Sequence, residues 1–369
     1  MTLNSFQTSG NSPTEPRCRV ALHGFGNVGS AIARRLTAPD SPSVLQLISI
    51  CDRRAREKRA RQPDATAAVC WTDRFDDLIA SDADIVVEAI SSGEPASDYV
   101  RAALLAGKSV VTSNNQVIAH NGPALLTLAE RQGRQLRFEA AVGGAMPIVR
   151  ALGEGMAGDR VTRIEAVLNG TTNAVLSRMD AIGCAMDEAI ADACARGYAE
   201  ADPSSDLDGV DAAAKLAILC ALAFAVRVTP SDIESRTSAR VRSEDFREAR
   251  QRGGTIRQIA HAEYRDDRGE LVAWIAPKFV ARGSIFARAE GPGNAAILTG
   301  AHAGEITLSG AGAGGDQTAA AAIADLLAIA RDRAAIVPAP VLTTPRRIIG
   351  LTDHHHPADT GSHEFAEAV

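Results

Sequence analysis

The chain has 369 residues, enough for two domains, and a formal net charge of −6. Its arginines are spread along the chain rather than gathered in a stripe, which argues against a nucleic-acid-binding module. Its six cysteines include no CxxC pair and no Cys/His cluster has ligand spacing, which argues against a disulfide frame and a zinc site. Residues 1–17 lack the basic-then-apolar order of a signal peptide and read as a disordered lead-in. No stretch is apolar for long enough to span a membrane, so the expectation is a cytoplasmic protein in a reducing compartment.

A short apolar strand, Val20 to Leu22, runs into Gly24-Phe25-Gly26-Asn27-Val28-Gly29, and a helix with apolar Ala31, Ile32 and Leu36 follows. Gly24 permits the tight turn, Gly26 lets a pyrophosphate approach the backbone, and Gly29 lets helix and strand pack closely. The helix N-terminus supplies amides and the positive dipole end for the phosphate. The next strand, Leu45 to Cys51, ends in Asp52-Arg53-Arg54. The acid suits the ribose hydroxyls of NAD and the two arginines suit the 2′-phosphate of NADP; the balance leans to NADP. Arg53 to Arg61 is a dense basic run without aromatics, which reads as a solvated helix face.

Strands at 84–90, 108–112 and 136–140 alternate with helices at 99–105 and 122–132. The alternation predicts a Rossmann-type, doubly wound parallel sheet of class α/β, which binds ligands outside the strand C-terminal ends. Those ends carry Ser91-Ser92-Gly93, Ser113-Asn114-Asn115 and Val142-Gly143-Gly144, small polar sets able to approach a nicotinamide. Residues 18–145 are assigned to this dinucleotide-binding domain.

A second, α+β domain is expected over 146–317. A strand from Arg163 to Leu168 ends at Asn169-Gly170-Thr171-Thr172-Asn173, a set that can cap the next helix or orient a carboxylate or amide. Helices are expected over 173–179 and 186–196. The stretch from Arg196 to Val226 begins with Glu200, Asp202, Asp206, Asp208 and Asp211 and becomes a helix apolar nearly all round, with one base, Lys215. Asp211 and Lys215, four residues apart, share a helix face. Burying an ammonium is costly unless it is paired or used, so the spacing predicts a proton-handling lysine held among carboxylates. Strands follow at 256–264, 271–280, 285–289 and 305–309, with a tight loop at 291–294. The glycine-rich run from Ser309 to Gly315, including Gly314, leads into an Ala-rich helix from Thr318 to Ala330; it can touch a cofactor or pack on the first domain. The helix region is assigned to 318–337 and a polar tail with His354 to His356 to 338–369.

These motifs resemble the homoserine dehydrogenase family in its short form, without a regulatory domain. The resemblance runs from Val20 to about Ala330 through GFGNVG at 24–29, AGKSVVTSN at 106–114, FEAAVGGAMP at 138–147, LNGTTN at 168–173, GYAEADPSSDLDGVDAAAKLAIL at 197–219 and GAGAGGDQTA at 310–319. It implies an NAD(P)-dependent oxidoreductase interconverting L-homoserine and L-aspartate 4-semialdehyde, working as a homodimer built on the second domain. It implies catalytic roles for Lys215, Asp211 and Glu200, and substrate contacts from Glu200, Asp206, Asp211, Asn169, Gly170, Thr171, Thr172 and Asn115. Cofactor contacts fall on Gly24, Phe25, Gly26, Asn27, Val28, Gly29, Asp52, Arg53, Arg54, Ser91, Ser92, Ser113, Asn114 and Gly314. Glu139, Val142, Gly144 and Met146 would border a monovalent cation such as Na+. Two places depart: the family usually has a lysine where this chain has Asn115, and a glycine pair after the fourth strand where this chain has Ser91-Ser92-Gly93. Asn donates a hydrogen bond but carries no proton between states. The departures leave open a related polar hydroxy or amino acid as substrate, or a catalytically impaired nucleotide-binding homologue.

Overall fold

The computed structural model describes residues 18–61, 66, 68–90, 93–331 and 342–351. The expected lead-in, Ser91, Ser92 and the histidine run lie outside them.

The first half alternates as expected: β1 (Cys18–His23), α1 (Asn27–Thr37), β2 (Leu45–Cys51), α2 (Ala55–Ala60), β3 (Cys70–Thr72), α3 (Phe75–Ala80), β4 (Ile85–Glu88), α4 (Gly93–Leu105), β5 (Ser109–Thr112), α5 (Asn115–Arg131) and β6 (Leu136–Arg137). Its six strands form a parallel sheet in the order β3-β2-β1-β4-β5-β6. The order reverses at β1, the switch point at which such sheets take a dinucleotide. Helix α5 starts well before Gly122, because the Asn114 side chain accepts from Val117 N at 3.2 Å and caps it. Gly122-Pro123 marks the interior of that helix, not its start.

The second half runs α6 (Ile148–Arg150), β7 (Val161–Val167), α7 (Gly170–Ile182), α8 (Met186–Ala195), α9 (Ser204–Leu207), α10 (Val210–Phe224), β8 (Glu234–Ser235), α11 (Ser243–Gln251), β9 (Gly254–Arg265), β10 (Glu270–Ala281), α12 (Ile285–Arg288), β11 (Gly293–Gly300), β12 (Gly304–Ala311), α13 (Gly315–Ala330) and β13 (Arg347–Ile349). Its main sheet has the order β12-β11-β7-β9-β10-β13, antiparallel from β12 to β10 and parallel at β13. The strand expected over 285–289 is instead a helical turn, because Ser284 Oγ accepts from Ala287 N at 3.2 Å. The glycines at 291–294 lead directly into β11.

One core is continuous across both sheets. Val86 and Val110 of the parallel sheet, Ile118 and Leu125 of α5, and Leu216 and Ile218 of α10 belong to it together with Ala260 and Ile275 of the mixed sheet. On the other face of the parallel sheet, α13 returns from the second half and packs Ala319, Ile323 and Leu326 beside Leu22, Ile32 and Leu36. A buried polar knot locks that return. Asp325 accepts from the Glu139 backbone N at 2.9 Å and from Arg150 Nη2 at 2.8 Å. The Glu139 carboxylate accepts from the backbone N of Val149 at 2.9 Å and of Arg150 at 3.0 Å. Burial, with Asp325 adjacent, pushes the Glu139 carboxyl up to about 7, and burial raises Asp325 as well. Arg150 is the cation beside both. Removing the cation from a buried pair leaves uncompensated charge. Arg150→Met is therefore expected to cost about 3 kcal/mol at pH 8 and less at pH 5, where both carboxyls are more readily protonated, as read from urea unfolding at the two pH values.

Candidate active site

The nucleotide end follows from the glycine turn. Gly24 has φ +99, and a Cβ on Gly29 would lie 2.0 Å from Gly24 O, so only glycines allow α1 to start this close to β1. Gly26 at the N-cap and Asn27 are exposed, and no side chain caps α1, which leaves its first-turn amides open to an anion. The turn thus fits a pyrophosphate. Phe25 differs from expectation: its ring is buried edge-on against Trp71, and its N–H is given to Asp52 Oδ2 at 2.9 Å. Asp52 also accepts from Lys58 Nζ at 2.6 Å and Arg54 N at 2.9 Å. Burial opposes its charge, but Lys58 and the two amides outweigh burial and hold the carboxyl below its usual range. Lys58, inside the basic run, was not singled out by sequence; its spacing of six from Asp52 matches no helix-face rule. Arg53 and Arg54 are exposed beside it. Gly314 caps α13, and a Cβ on Gly315 would lie 2.7 Å from Asn27 O. The glycine-rich run therefore serves close packing of α13 on α1.

The acid–lysine cluster lies at the other side of the strand ends. Helix α10 begins at Val210, and its apolar faces bury Ala212, Ala213, Ala214, Leu216 and Ile218. Lys215 Nζ donates to Asp211 Oδ2 at 2.8 Å and to Leu168 O at 2.9 Å; the Lys215 side chain is 13% exposed. Asn169 caps α7 by accepting from Thr172 N at 2.7 Å, and its Nδ2 reaches both Asp206 Oδ1 and Asp211 Oδ2 at 2.7 Å. Asn115, first residue of α5, donates to Asp211 Oδ1 at 2.7 Å. The cluster is thereby joined to the C-terminal end of β5, beside Ser113 and Asn114. Burial opposes charge on Asp211, yet Lys215's ammonium and the three hydrogen bonds win and hold its carboxyl below the usual range. Burial and the nearby Asp211 charge instead raise Asp206. Lys215 has one N–H direction with no partner among the described residues, which an incoming oxygen can take.

Some expected residues are not brought in. Glu200 is exposed, and its carboxylate has no hydrogen bond or ion pair among the described residues; only its carbonyl is used, by Cys194 Sγ at 3.1 Å. Thr172 and Gly170 are buried in the start of α7, whereas Thr171, which donates to Tyr198 O at 2.8 Å, also lies within hydrogen-bond reach of Asp206 and is brought to the cluster. Lys108 cannot replace the missing lysine: its Nζ is held by Ser81 O at 2.7 Å and Ala83 O at 2.9 Å. Glu139, Val142, Gly144 and Met146 lie together on the segment between β6 and α6. Both Glu139 carboxylate oxygens accept backbone N–H groups, and Met146 O accepts from Ile148 N at 2.8 Å. A carbonyl or carboxylate oxygen that accepts one N–H keeps a further lone pair, so these contacts are compatible with the expected backbone-oxygen site. Among the described residues, no group of three His, Cys, Asp or Glu side chains could hold a metal.

A phosphate cradle at one strand end and one ammonium held by carboxylate at another meet the needs of hydride exchange with an alcohol, which defines an NAD(P)-dependent dehydrogenase. Two family profiles match, described as "Homoserine dehydrogenase, NAD binding domain" over residues 24–139 and "Homoserine dehydrogenase" over residues 147–327. The chain belongs to the homoserine dehydrogenase family. It is 39% identical over 326 residues to the homoserine dehydrogenase of Mycobacterium tuberculosis, spanning 85% of this chain and 72% of that one. It is 35% identical to that of Corynebacterium glutamicum over 325 residues, with the same shares. Among solved structures, a homoserine dehydrogenase from Thiobacillus denitrificans superposes with a TM-score of 0.83 at 30% identity, covering 91% of this chain and 80% of that one. A hyperthermophilic archaeal homoserine dehydrogenase in complex with NADPH superposes with a TM-score of 0.71 at 27% identity, covering 87% and 100%.

Asn169 combines a helix cap with two carboxylate contacts, so Asn169→Ala is expected to lower stability by about 2 kcal/mol at pH 7, measured by urea unfolding. The Asp211 share of stability is present above its ordinary value of 3.8 and is lost as pH falls through its lower folded value, so the deficit narrows in acid.

Proposed function

We propose that this dehydrogenase interconverts L-homoserine and L-aspartate 4-semialdehyde, with Lys215 as the group that moves the proton. The observation that carries this reading is Lys215 Nζ, fixed by Asp211 and Leu168 O in an otherwise apolar helix with one donor direction left. The nicotinamide, when bound, supplies or accepts the hydride. In the reductive direction the Lys215 ammonium donates to the carbonyl oxygen as that oxygen gains charge; in the oxidative direction neutral Lys215 takes the hydroxyl proton. Asp211 acts by holding Lys215, since Lys215, Asn115 and Asn169 already occupy its oxygens. Asp206, bonded by Asn169, is the carboxylate that meets the substrate's ammonium or hydroxyl end. Thr171 flanks Asp206, while Glu200, Gly170 and Thr172 take no part in the proton step.

Asn115 makes the proton traffic depend on one amine. This favours a second reading, a related polar hydroxy or amino acid as substrate, and a panel of such compounds with NADPH and NADH separates the two. The third reading, an impaired homologue, predicts cofactor binding and no turnover on any member of that panel.

NADP is the cofactor this reading favours. Asp52 already serves Phe25, Arg54 and Lys58, and three cations, Arg53, Arg54 and Lys58, cluster at the strand end. A diol must compete for an engaged acid, whereas a phosphate gains cations. The chain is proposed to act as a cytoplasmic homodimer. Six free cysteines suit a reducing compartment, and β12 is an edge strand of the mixed sheet; light scattering reads the mass directly.

Lys215→Ala is expected to slow single-turnover hydride transfer by at least about 100-fold with cofactor binding retained; a wild-type rate in stopped flow would sink the assignment. Lys58→Ala is expected to reduce the NADPH-over-NADH ratio of kcat/KM by about tenfold, measured with both cofactors at fixed substrate.

A further inference from the structure

Glu88, the last residue of β4, is 1% exposed and lies in register with Thr112 of β5. No step described so far uses it. Its Oε1 accepts from Ile90 N at 2.8 Å, and its Oε2 accepts from the Thr112 hydroxyl. That hydroxyl in turn accepts from Asn114 N at 3.0 Å. Asn114 closes the ring by donating its side-chain amide to Ile90 O at 3.2 Å, while its Oδ1 caps α5 through Val117 N. The next residue, Asn115, donates to Asp211 Oδ1 at 2.7 Å. Two strand ends and one helix start thus converge on a single buried carboxylate, and the helix they set in place delivers the donor that steadies Asp211.

We infer that Glu88 is a positioning residue for the reaction: through Thr112 and Asn114 it fixes the start of α5, and through Asn115 it fixes the Asp211–Lys215 pair. The inference rests on the reading of Lys215 as the proton-moving group. Burial pushes the Glu88 carboxyl up to about 7, against the hydrogen bonds from Thr112, Ile90 and Asn114 that favour its ionised form. Only an acceptor on both oxygens satisfies Ile90 N and the Thr112 hydroxyl at once. A glutamine places an NH2 where one acceptor was, so one bond of the ring must be lost or reversed. A valine at 112 removes the middle of the relay and leaves Asn114 N without its acceptor. The effect on chemistry follows from distance: a small displacement of Asp211 moves the ammonium relative to the reacting oxygen.

The test uses the full chain, loaded with NADPH and mixed with aspartate 4-semialdehyde in single-turnover stopped flow. Glu88→Gln and Thr112→Val are each expected to slow hydride transfer by about tenfold, with the NADPH Kd and the substrate KM changed less than about twofold. Thr112→Ser, which keeps the hydroxyl, is expected to restore the rate. The double variant is expected to be no slower than the slower single variant, because both break one relay. Wild-type rates in folded Glu88→Gln and Thr112→Val would overturn the inference. So would losses that multiply in the double variant, or a loss in Thr112→Ser equal to that of Thr112→Val. If Glu88→Gln does not fold, the Thr112 pair decides alone. Lys215→Ala separates the two levels: a wild-type rate there rejects the reading itself, whereas a slow Lys215→Ala with fast Thr112→Val rejects only the positioning role.

Discussion

An ammonium group inside an apolar helix is the constraint around which this molecule is arranged. Lys215 belongs to a helix that buries most of its faces, and such a charge stays only with acceptors at hand. Asp211, one turn earlier, supplies one and the end of β7 supplies another through Leu168 O. The carboxylate has its own desolvation cost, which Asn115 and Asn169 offset. Three separate elements, α5, the start of α7 and α10, must therefore meet for one ion pair to persist. The acid–lysine cluster and the junction between the two sheets are the same physical object.

This accounts for the continuous core. Helix α5 of the parallel sheet packs on α10 of the second half, and both place their N-terminal residues at the site. Helix α13 clamps the opposite face, held by the Glu139–Arg150–Asp325 knot. The Glu139 carboxylate takes the backbone N–H groups of Val149 and Arg150 in α6, while its own N–H is given to Asp325 of α13. The glycine turn after β1 and Asn115 after β5 sit on the same parallel sheet, so the phosphate cradle and the Asp211–Lys215 pair are referenced to one rigid set of strand ends.

The charge pattern at the two ends of the cofactor site differs in kind. At the adenosine end, Asp52 is neutralised by Lys58 and flanked by arginines, which suits an additional phosphate. At the reacting end, two carboxylates face one ammonium, and Asn115 is neutral where a second amine would balance them. An acid-rich site of this kind attracts an α-ammonium but gives less help to an oxygen gaining negative charge. Under the proposed mechanism the placement of Lys215 then matters more, since no second cation joins this cluster among the described residues.

Features carried by adjacent residues were legible in the sequence. The glycine turn, the i,i+4 spacing of Asp211 and Lys215, the apolar faces of α10 and the alternation of strands and helices depend on local geometry, which fixed periodicities encode. Local rules failed where a single cap outweighed composition: Ser284 turned an apolar run into α12, and Asn114 began α5 well before its glycine and proline. The tertiary structure alone decided which donors complete each buried charge. Lys58 on Asp52, Asn115 and Asn169 on Asp211, Arg150 on Asp325, and Thr112 on Glu88 are separated by up to 175 residues, and Glu200 was left outside despite its place in the same motif. The reason is physical: sequence spacing reports which residues share a face of one element, whereas desolvating a charge is settled by whatever donors other elements bring within hydrogen-bond reach.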